Sequence, residues 1–116
     1  MTIDRIPGAA KGRSPAVRHN GTVHAVATAT SSSPSVAEQT RLTLAALDRN
    51  LTAAGSDKTR LVQATVYLRD MSKKAEMDDI WCAWIGGPEN WPQRACVGTE
   101  LAGDDLVEIV VVATAN

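Results

Sequence analysis

The strongest periodic pattern in the chain is an apolar stripe with helical spacing. Its members recur every three or four positions and form one face of a helix: Val36, Thr40, Leu44, Leu47 and Leu51. Charged residues lie off this face, as expected for a helix with one side in solvent. Ser33 or Ser35 can cap its first turn, and Gly55 is suited to follow its last residue. The pattern predicts a helix that ends near Ala53.

A second, shorter helix is predicted before the sequence Gly86-Gly87-Pro88, which stops it. Ser72 is placed to cap its first turn. The apolar face of this helix is formed by four residues at helical spacing: Met77, Ile80, Trp81 and Trp84.

The other apolar segments have the composition of β-strands. Residues 16–29 are β-prone on both sides of Asn20-Gly21, a dipeptide that favours a tight type I′ hairpin because both positions adopt positive φ. Residues 61–68 are rich in Val, Thr and Tyr, as is typical of a central strand. Two further strands are predicted at about residues 94–101 and 106–114.

Residues 1–13 mix charge with Gly and Pro and show no periodicity. They are predicted to form an irregular N-terminal arm, which leaves residues 14–116 as the folded domain. A chain of 116 residues fits a single hydrophobic core.

The last predicted strand is apolar on both faces, so neither face suits contact with water. The two predicted helices can cover only one face of the sheet. A second copy of the chain is the economical cover for the other face, and we therefore expect an oligomer. The lack of Phe and an aromatic content of 3% favour the same conclusion, because they leave one subunit with a thin core.

Composition and charge disfavour several classes of function. A net charge of −1 provides no basic surface for phosphate backbones, so we expect no nucleic-acid partner. No apolar run approaches the roughly 20 residues of a membrane-spanning helix, and the N-terminal residues lack the apolar segment of a secretion signal. The two cysteines form no disulfide framework or recognisable zinc spacing, so a reducing cytoplasm is expected. Cys82, His19 and His24 are expected to be structural.

Three chemically active side chains fall in the most apolar third of the sequence: Arg94, Cys96 and Glu108. Charge is costly there unless it has a partner or a task. The guanidinium of Arg94 fits a carboxylate, and Glu108 can orient or deprotonate a water molecule. The alternative is a structural ion pair of Arg94 with Glu108 or Asp104. Cys96 has no His nearby in sequence and is expected to pack rather than to act as a nucleophile.

Several motifs occur in a specific order along the chain. They are Glu38-Gln39-Thr40-Arg41, Ala54-Gly55, Thr65-Val66-Tyr67-Leu68-Arg69-Asp70, Pro92-Gln93-Arg94-Ala95-Cys96-Val97 and Val107-Glu108-Ile109. In this order, over about residues 14–114, the chain resembles the RidA family of reactive-intermediate (imine/enamine) deaminases.

The resemblance implies a chorismate-mutase-like α+β domain with a mixed β-sheet, two helices packed on one face, and a homotrimer with ligand clefts between subunits. It implies hydrolysis of 2-imino or 2-enamino acids to 2-oxo acids and ammonia, without a metal or organic cofactor. Arg94 would bind the carboxylate of the substrate, and Glu108 would hold the hydrolytic water or shuttle a proton. The other implied substrate-binding positions are Cys96, Ala16, Ala27, Thr28 and Trp91.

One local inference conflicts with this implied fold. The short link of residues 102–105 by itself predicts a hairpin between the last two strands, which would place Glu108 across from about Thr99. In the implied fold the last strand lies centrally in the sheet, away from the preceding strand, and we adopt that arrangement.

Two segments depart from the family pattern. Pro15-Ala16 stands where typical members carry a Tyr shortly after Gly-Pro, and Ala27-Thr28-Ala29 stands where they carry Ser-Gly before Gln. A glycine lets a ligand approach the backbone closely, whereas Thr28 adds a branched side chain. Trp91 replaces a usual Phe and can refill part of the pocket.

These departures leave a second function open, namely a non-catalytic trimeric protein that binds small carboxylates as a metabolite sensor. Relatives have also been described as ribonucleases, but no cluster of Lys and Arg with interleaved aromatic residues favours that activity here. The sequence does not define the side chain of the substrate.

Overall fold

Two helices lie on one face of a six-stranded sheet in the computed structural model of the protein, which describes residues 2–116. The strands are β1 (Asp4–Ile6), β2 (Ala16–His19), β3 (Thr22–Thr28), β4 (Leu61–Leu68), β5 (Gln93–Gly98) and β6 (Val107–Thr114), and the helices are α1 (Val36–Ala53) and α2 (Lys74–Ile85). The strand order is β1-β2-β3-β6-β4-β5. Only β4 and β5 pair in parallel, so the sheet is mixed, as predicted.

The last strand lies in the middle of the sheet, antiparallel to both β3 and β4. Glu108 is therefore opposite Thr28 on one side and Tyr67 on the other. A hairpin between β5 and β6, with Glu108 opposite Thr99, is thereby excluded. The connection from β4 to β5 runs through α2, as a parallel pair requires.

The predicted β-hairpin is confirmed. Asn20 and Gly21 have φ angles of 52° and 75°, the positive values that a type I′ turn requires, and His19 pairs with Thr22 across the turn.

The first helix also forms as predicted. The Oγ of Ser35 accepts a hydrogen bond from the backbone N–H of Glu38 at 3.1 Å, so Ser35 is the N-cap. Gly55 follows the helix with a φ of 81°, a conformation that favours glycine. All five residues of the predicted stripe are buried: Val36, Thr40, Leu44, Leu47 and Leu51.

The predicted cap of the second helix is wrong. A short 3₁₀ turn, Met71–Lys73, precedes α2, and Asp70 rather than Ser72 caps that turn. The Oδ1 of Asp70 accepts hydrogen bonds from both the backbone N–H and the hydroxyl of Ser72, at 3.0 and 2.7 Å. These two bonds stabilise the charged carboxylate of Asp70 and so lower its pKa below the ordinary value. The buried face of α2 comprises Met77, Trp81 and Ile85, while Ile80 and Trp84 are half-buried against it.

The N-terminal arm is not irregular throughout. Asp4–Ile6 forms the edge strand β1, and its residues pair with Ala16 to Arg18 of β2. The strand escaped prediction because an exposed edge strand depends on backbone hydrogen bonds and needs no apolar alternation. Met1, the first residue of the predicted arm, lies outside the described residues.

Alternation along β6 separates a buried face of the sheet from an open one. Val107, Ile109, Val111 and Ala113 are buried beneath the helices. The opposite face carries Val110, which is 38% exposed in the isolated chain. Its neighbours across the strands are Val26 and Thr65, so the centre of the open face is largely apolar. Among residues 2–116 no helix is long and apolar enough to cross a membrane.

A buried amide joins helix α1 to the loop before β6. The Nε2 of Gln39 donates hydrogen bonds to the carbonyl oxygens of Ser33 and Asp104 at 2.7 and 2.9 Å. Its Oε1 accepts a hydrogen bond from the backbone N–H of Leu106 at 2.8 Å. Because Gln39 is only 1% exposed, its amide has no access to water and depends on these backbone partners.

We expect Gln39→Ala to lower the free energy of unfolding by about 2–3 kcal/mol, because it removes three hydrogen bonds made by a buried side chain. Urea unfolding followed by circular dichroism measures this change. Arg41→Ala, on the exposed side of the same helix, is the control and should shift stability by less than about 0.5 kcal/mol. Equal effects of the two substitutions would contradict the role assigned to Gln39.

Candidate functional site

Arg94 is held against helix α2 by three contacts. Its Nη2 donates a hydrogen bond to Oδ1 of Asp78 at 2.6 Å, and its Nη1 lies 3.8 Å from Sδ of Met77. Its guanidinium carbon is 5.3 Å from the centre of the Trp81 ring, a cation–π distance. The side chain of Arg94 is 20% exposed, so it is accessible but not free to swing into solvent.

Asp78 joins two cations. Its second oxygen, Oδ2, accepts a hydrogen bond from Nζ of Lys74 at 2.7 Å. Burial alone would raise the pKa of Asp78, but the hydrogen bonds and charges of Lys74 and Arg94 outweigh it and lower the pKa below its ordinary value. The group is therefore a carboxylate at neutral pH. The structural partner of Arg94 is Asp78, and not Glu108 or Asp104, the two candidates considered from sequence.

Cys96 is two residues from Arg94 on β5 and points to the same face of the sheet, since side chains alternate along a strand. It is half-buried and packs against the hydrophobic core. Burial raises the pKa of its thiol, and this outweighs the lowering by Arg94 and Lys74. A thiol with a raised pKa is a poor nucleophile, which supports the expectation that Cys96 has a packing role.

Glu108 lies on the opposite face of the sheet from Arg94. Arg94 pairs in register with Ala64, which is buried beneath the helices, whereas Glu108 pairs with Thr28 and Tyr67 on the open face. Residues paired across strands project to the same side, so the two faces can be assigned without ambiguity. Within one chain the predicted catalytic pair therefore does not come together.

Glu108 instead lines a groove of about 640 Å³ at the end of β3 and β6. Two other predicted site residues, Ala27 and Thr28, line the same groove. The remaining walls come from the N-terminal segment, helix α1 and the loop after β5, and include Arg13, Pro15, Arg49, Asn50 and Asp105. The groove thus combines carboxylates, guanidinium groups and an amide around a partly apolar floor.

Besides Arg94 and Cys96, two more predicted site residues, Ala16 and Trp91, do not line this groove. Ala16 is 1% exposed and belongs to the core, so its methyl group is closed to a ligand; Pro15 lines the groove in its place. Trp91 is 64% exposed just before β5, and its Nε1 donates a hydrogen bond to the carbonyl of Gly86 at 2.9 Å. Sequence position alone could not show that Ala16 faces the core, because the register of β2 depends on its pairing with β1 and β3.

The residues that surround Arg94 were not predicted from the sequence. Asp78 and Lys74 are spaced i, i+4 on α2, the spacing of an ordinary surface ion pair. The sequence around Asp78 does not indicate that its side chain also contacts Arg94, a strand residue 16 positions later. Among residues 2–116 no group of three His, Cys, Asp or Glu side chains is placed to hold a metal ion.

Comparison with known proteins gives consistent matches. A family model described as endoribonuclease L-PSP matches residues 3–115. The RutC family protein YoaB of Escherichia coli is 36% identical over 114 residues, which cover 97% of this chain and 98% of that protein. A RutC family protein of Haemophilus ducreyi is 39% identical over 80 residues, or 68% of each chain. A crystal structure of a YjgF-family protein from Neisseria meningitidis matches with a TM-score of 0.92 and 37% identity, over 100% of this chain and 97% of that one.

We expect Cys96 to be alkylated by iodoacetamide at least about tenfold more slowly than Cys82 near neutral pH, because Cys82 is exposed and the pKa of Cys96 is raised. Peptide mass spectrometry over time measures both rates. In a Cys82→Ser variant the rate at Cys96 should still climb at pH values above the ordinary pKa of a thiol, because the pKa of Cys96 is raised. Faster labelling of Cys96 than of Cys82 would show an activated thiol and contradict its packing role.

Proposed function

The chain belongs to the endoribonuclease L-PSP family, also known as the YjgF/RidA family, and on that premise we propose that it hydrolyses reactive 2-imino or 2-enamino acids to 2-oxo acids and ammonia. The resemblance found in the sequence is confirmed at the level of the family. The main support for this activity is the placement of Arg94. Its guanidinium is accessible, is fixed by α2 and keeps unused donors for a carboxylate.

In the proposed reaction Arg94 binds the carboxylate of the imino acid and so fixes the position of the C=N carbon. Glu108 accepts a proton from water as the water oxygen bonds to that carbon, and it passes this proton to the nitrogen to give the neutral carbinolamine. Glu108 then accepts the hydroxyl proton of the carbinolamine and delivers it to the nitrogen while the C–N bond breaks, so ammonia leaves as the C=O bond forms. An enamino acid first becomes the imine by losing a proton from nitrogen and gaining one at its β-carbon. Imines hydrolyse readily in water, so orientation and proton transfer suffice, and the proposal involves no metal or organic cofactor.

We propose that each site is shared between subunits of a homotrimer. Arg94 and Glu108 lie on opposite faces of one sheet, so a cleft that contains both must take them from two different copies. The apolar centre of the open face, around Val110, supports such an assembly because it is exposed in the single subunit. Both cysteines are free thiols, which suits a reducing compartment, and the cytoplasm is the proposed location.

A second candidate is a non-catalytic trimer that binds small carboxylates. Two observations favour it: Arg94 already has an internal carboxylate partner, and Ala16, at the position where the family carries a Tyr, is closed to ligand. This candidate predicts Arg94-dependent binding of 2-oxo acids without turnover. RNA cleavage, which the family description names, is less well supported, because 12 basic residues face 13 acidic ones in the chain.

Activity is tested by ammonia release from imino acids generated in situ by an amino-acid oxidase, with several side chains. We expect Arg94→Lys and Glu108→Gln each to lower kcat/KM by about 100-fold or more, since one loses the bidentate donor and the other the proton acceptor. Arg41→Ala, on the exposed side of α1, is the control.

An unchanged rate in Arg94→Lys would contradict the assignment. Turnover absent from the wild type, together with 2-oxo acid binding that Arg94→Lys abolishes, would identify the binding protein instead.

The shared site is tested by complementation. When Arg94→Ala and Glu108→Gln subunits are coexpressed in equal amounts, we expect activity to recover to about a quarter of the wild-type rate. Each site receives its Arg from one subunit and its Glu from the neighbouring subunit, so both residues are intact in about a quarter of the sites. Light scattering should give three times the subunit mass of 12.3 kDa. A coexpressed mixture as inactive as its components, in trimers of normal mass, would place both residues in one chain.

A further inference from the structure

Helix α2 presents a carboxylate to the arginine that is proposed to bind the substrate. Asp78 uses one oxygen for Arg94, at 2.6 Å, and the other for Lys74, at 2.7 Å. Arg94 and Asp78 are 20% and 30% exposed, so the pair is at the edge of the site rather than in open solvent. The mechanism above does not use Asp78.

The contacts leave Arg94 able to bind a ligand. Its hydrogen-bond partners among residues 2–116 are Asp78 and Met77, which take one donor each of the five that a guanidinium offers. Three donors therefore remain. Because Asp78 and Trp81 lie one turn apart on the same helix, they fix both the position and the plane of the guanidinium before a ligand arrives. A long side chain fixed in advance loses less conformational freedom on binding.

The same contacts define the charge of the cluster. Lys74 and Arg94 each contribute one positive charge and Asp78 contributes one negative charge, so the three groups carry a net charge of +1. A single carboxylate neutralises this charge, whereas a second carboxylate on the ligand would meet the negative charge of Asp78. The cluster therefore discriminates by the number of carboxylates that the ligand carries.

We propose that Asp78 is the positioning residue of Arg94 and that it restricts the site to substrates with one carboxylate, that is, to imino acids without an acidic side chain. This inference rests on the proposed function, in which Arg94 binds the carboxylate. It adds to that function a residue that touches no substrate and a limit on the substrate class.

The test compares Asp78→Asn with Asp78→Glu, and uses Asp79→Asn as the matched control on the next, exposed position of α2. Binding of pyruvate and of 2-oxoglutarate is measured by calorimetry, and deamination is measured with imino acids made from alanine and from glutamate. We expect Asp78→Asn to lower kcat for the alanine-derived imino acid roughly tenfold, because Arg94 loses its fixed position.

Asp78→Asn should also shift the ratio of pyruvate to 2-oxoglutarate affinity toward 2-oxoglutarate by roughly fivefold. Asp78→Glu keeps the charge but not the geometry, so it should lower kcat while the affinity ratio stays as in the wild type. Lys74→Gln removes a positive charge and should weaken binding of both acids. Asp79→Asn should change neither quantity.

A purely structural role for Asp78 would lower the Tm without changing the affinity ratio, and that result would overturn the inference. If Asp78→Asn does not fold, the Asp78→Glu and Lys74→Gln variants test the inference instead. A wild-type kcat and wild-type affinities in both of these variants would equally overturn the inference. Failure of the proposed function has a different signature, namely no effect of Arg94→Lys on either binding or turnover.

Discussion

The backbone ladder of β6 joins the two halves of the molecule. On one side it pairs with β3, which belongs to the N-terminal hairpin, and on the other with β4, which continues through α2 to β5. No other strand pairing connects these halves within residues 2–116. The positions of Glu108 on β6 and of Arg94 two strands away both follow from this one insertion. Gln39 reinforces it, because its buried amide fixes the chain where β6 begins.

Because side chains alternate along a strand, the candidate site residues fall into two sets, one on each face of the sheet. Arg94 and Cys96 share the face that packs on the helices, where α2 supplies a carboxylate, a thioether and an aromatic ring to the guanidinium. Glu108 and Thr28 share the other face, beside the groove that α1 and the N-terminal segment help to form. A sheet is one backbone layer thick, so no side-chain rotation within one chain can bring Arg94 and Glu108 together.

The sequence predicted the parts of this structure that depend on local interactions. The stripe of α1, its Ser35 cap and the Asn20-Gly21 turn need only neighbours within a few residues, and each formed as expected. Ser72 was wrongly predicted to cap α2. Asp70, two residues earlier, caps the 3₁₀ turn before the helix instead and accepts a hydrogen bond from the backbone N–H of Ser72. The partner of Arg94 could not be predicted, because 16 residues and a change of direction separate it from Asp78. The family motifs suggested candidate site residues but not the faces on which they lie.

The central position of β6 also determines when the protein can fold. Thr22 pairs with Thr114, and the next backbone N–H, that of Ala115, donates a hydrogen bond back to the carbonyl of Gly21 at 2.8 Å. During synthesis the hairpin, α1 and the β4–α2–β5 unit all emerge before the strand that unites them. The nascent chain therefore exposes the inner edges of β3 and β4 until residue 114 has left the ribosome. Closure over so long a stretch of chain makes folding slow, and two strand edges remain unpaired until it occurs.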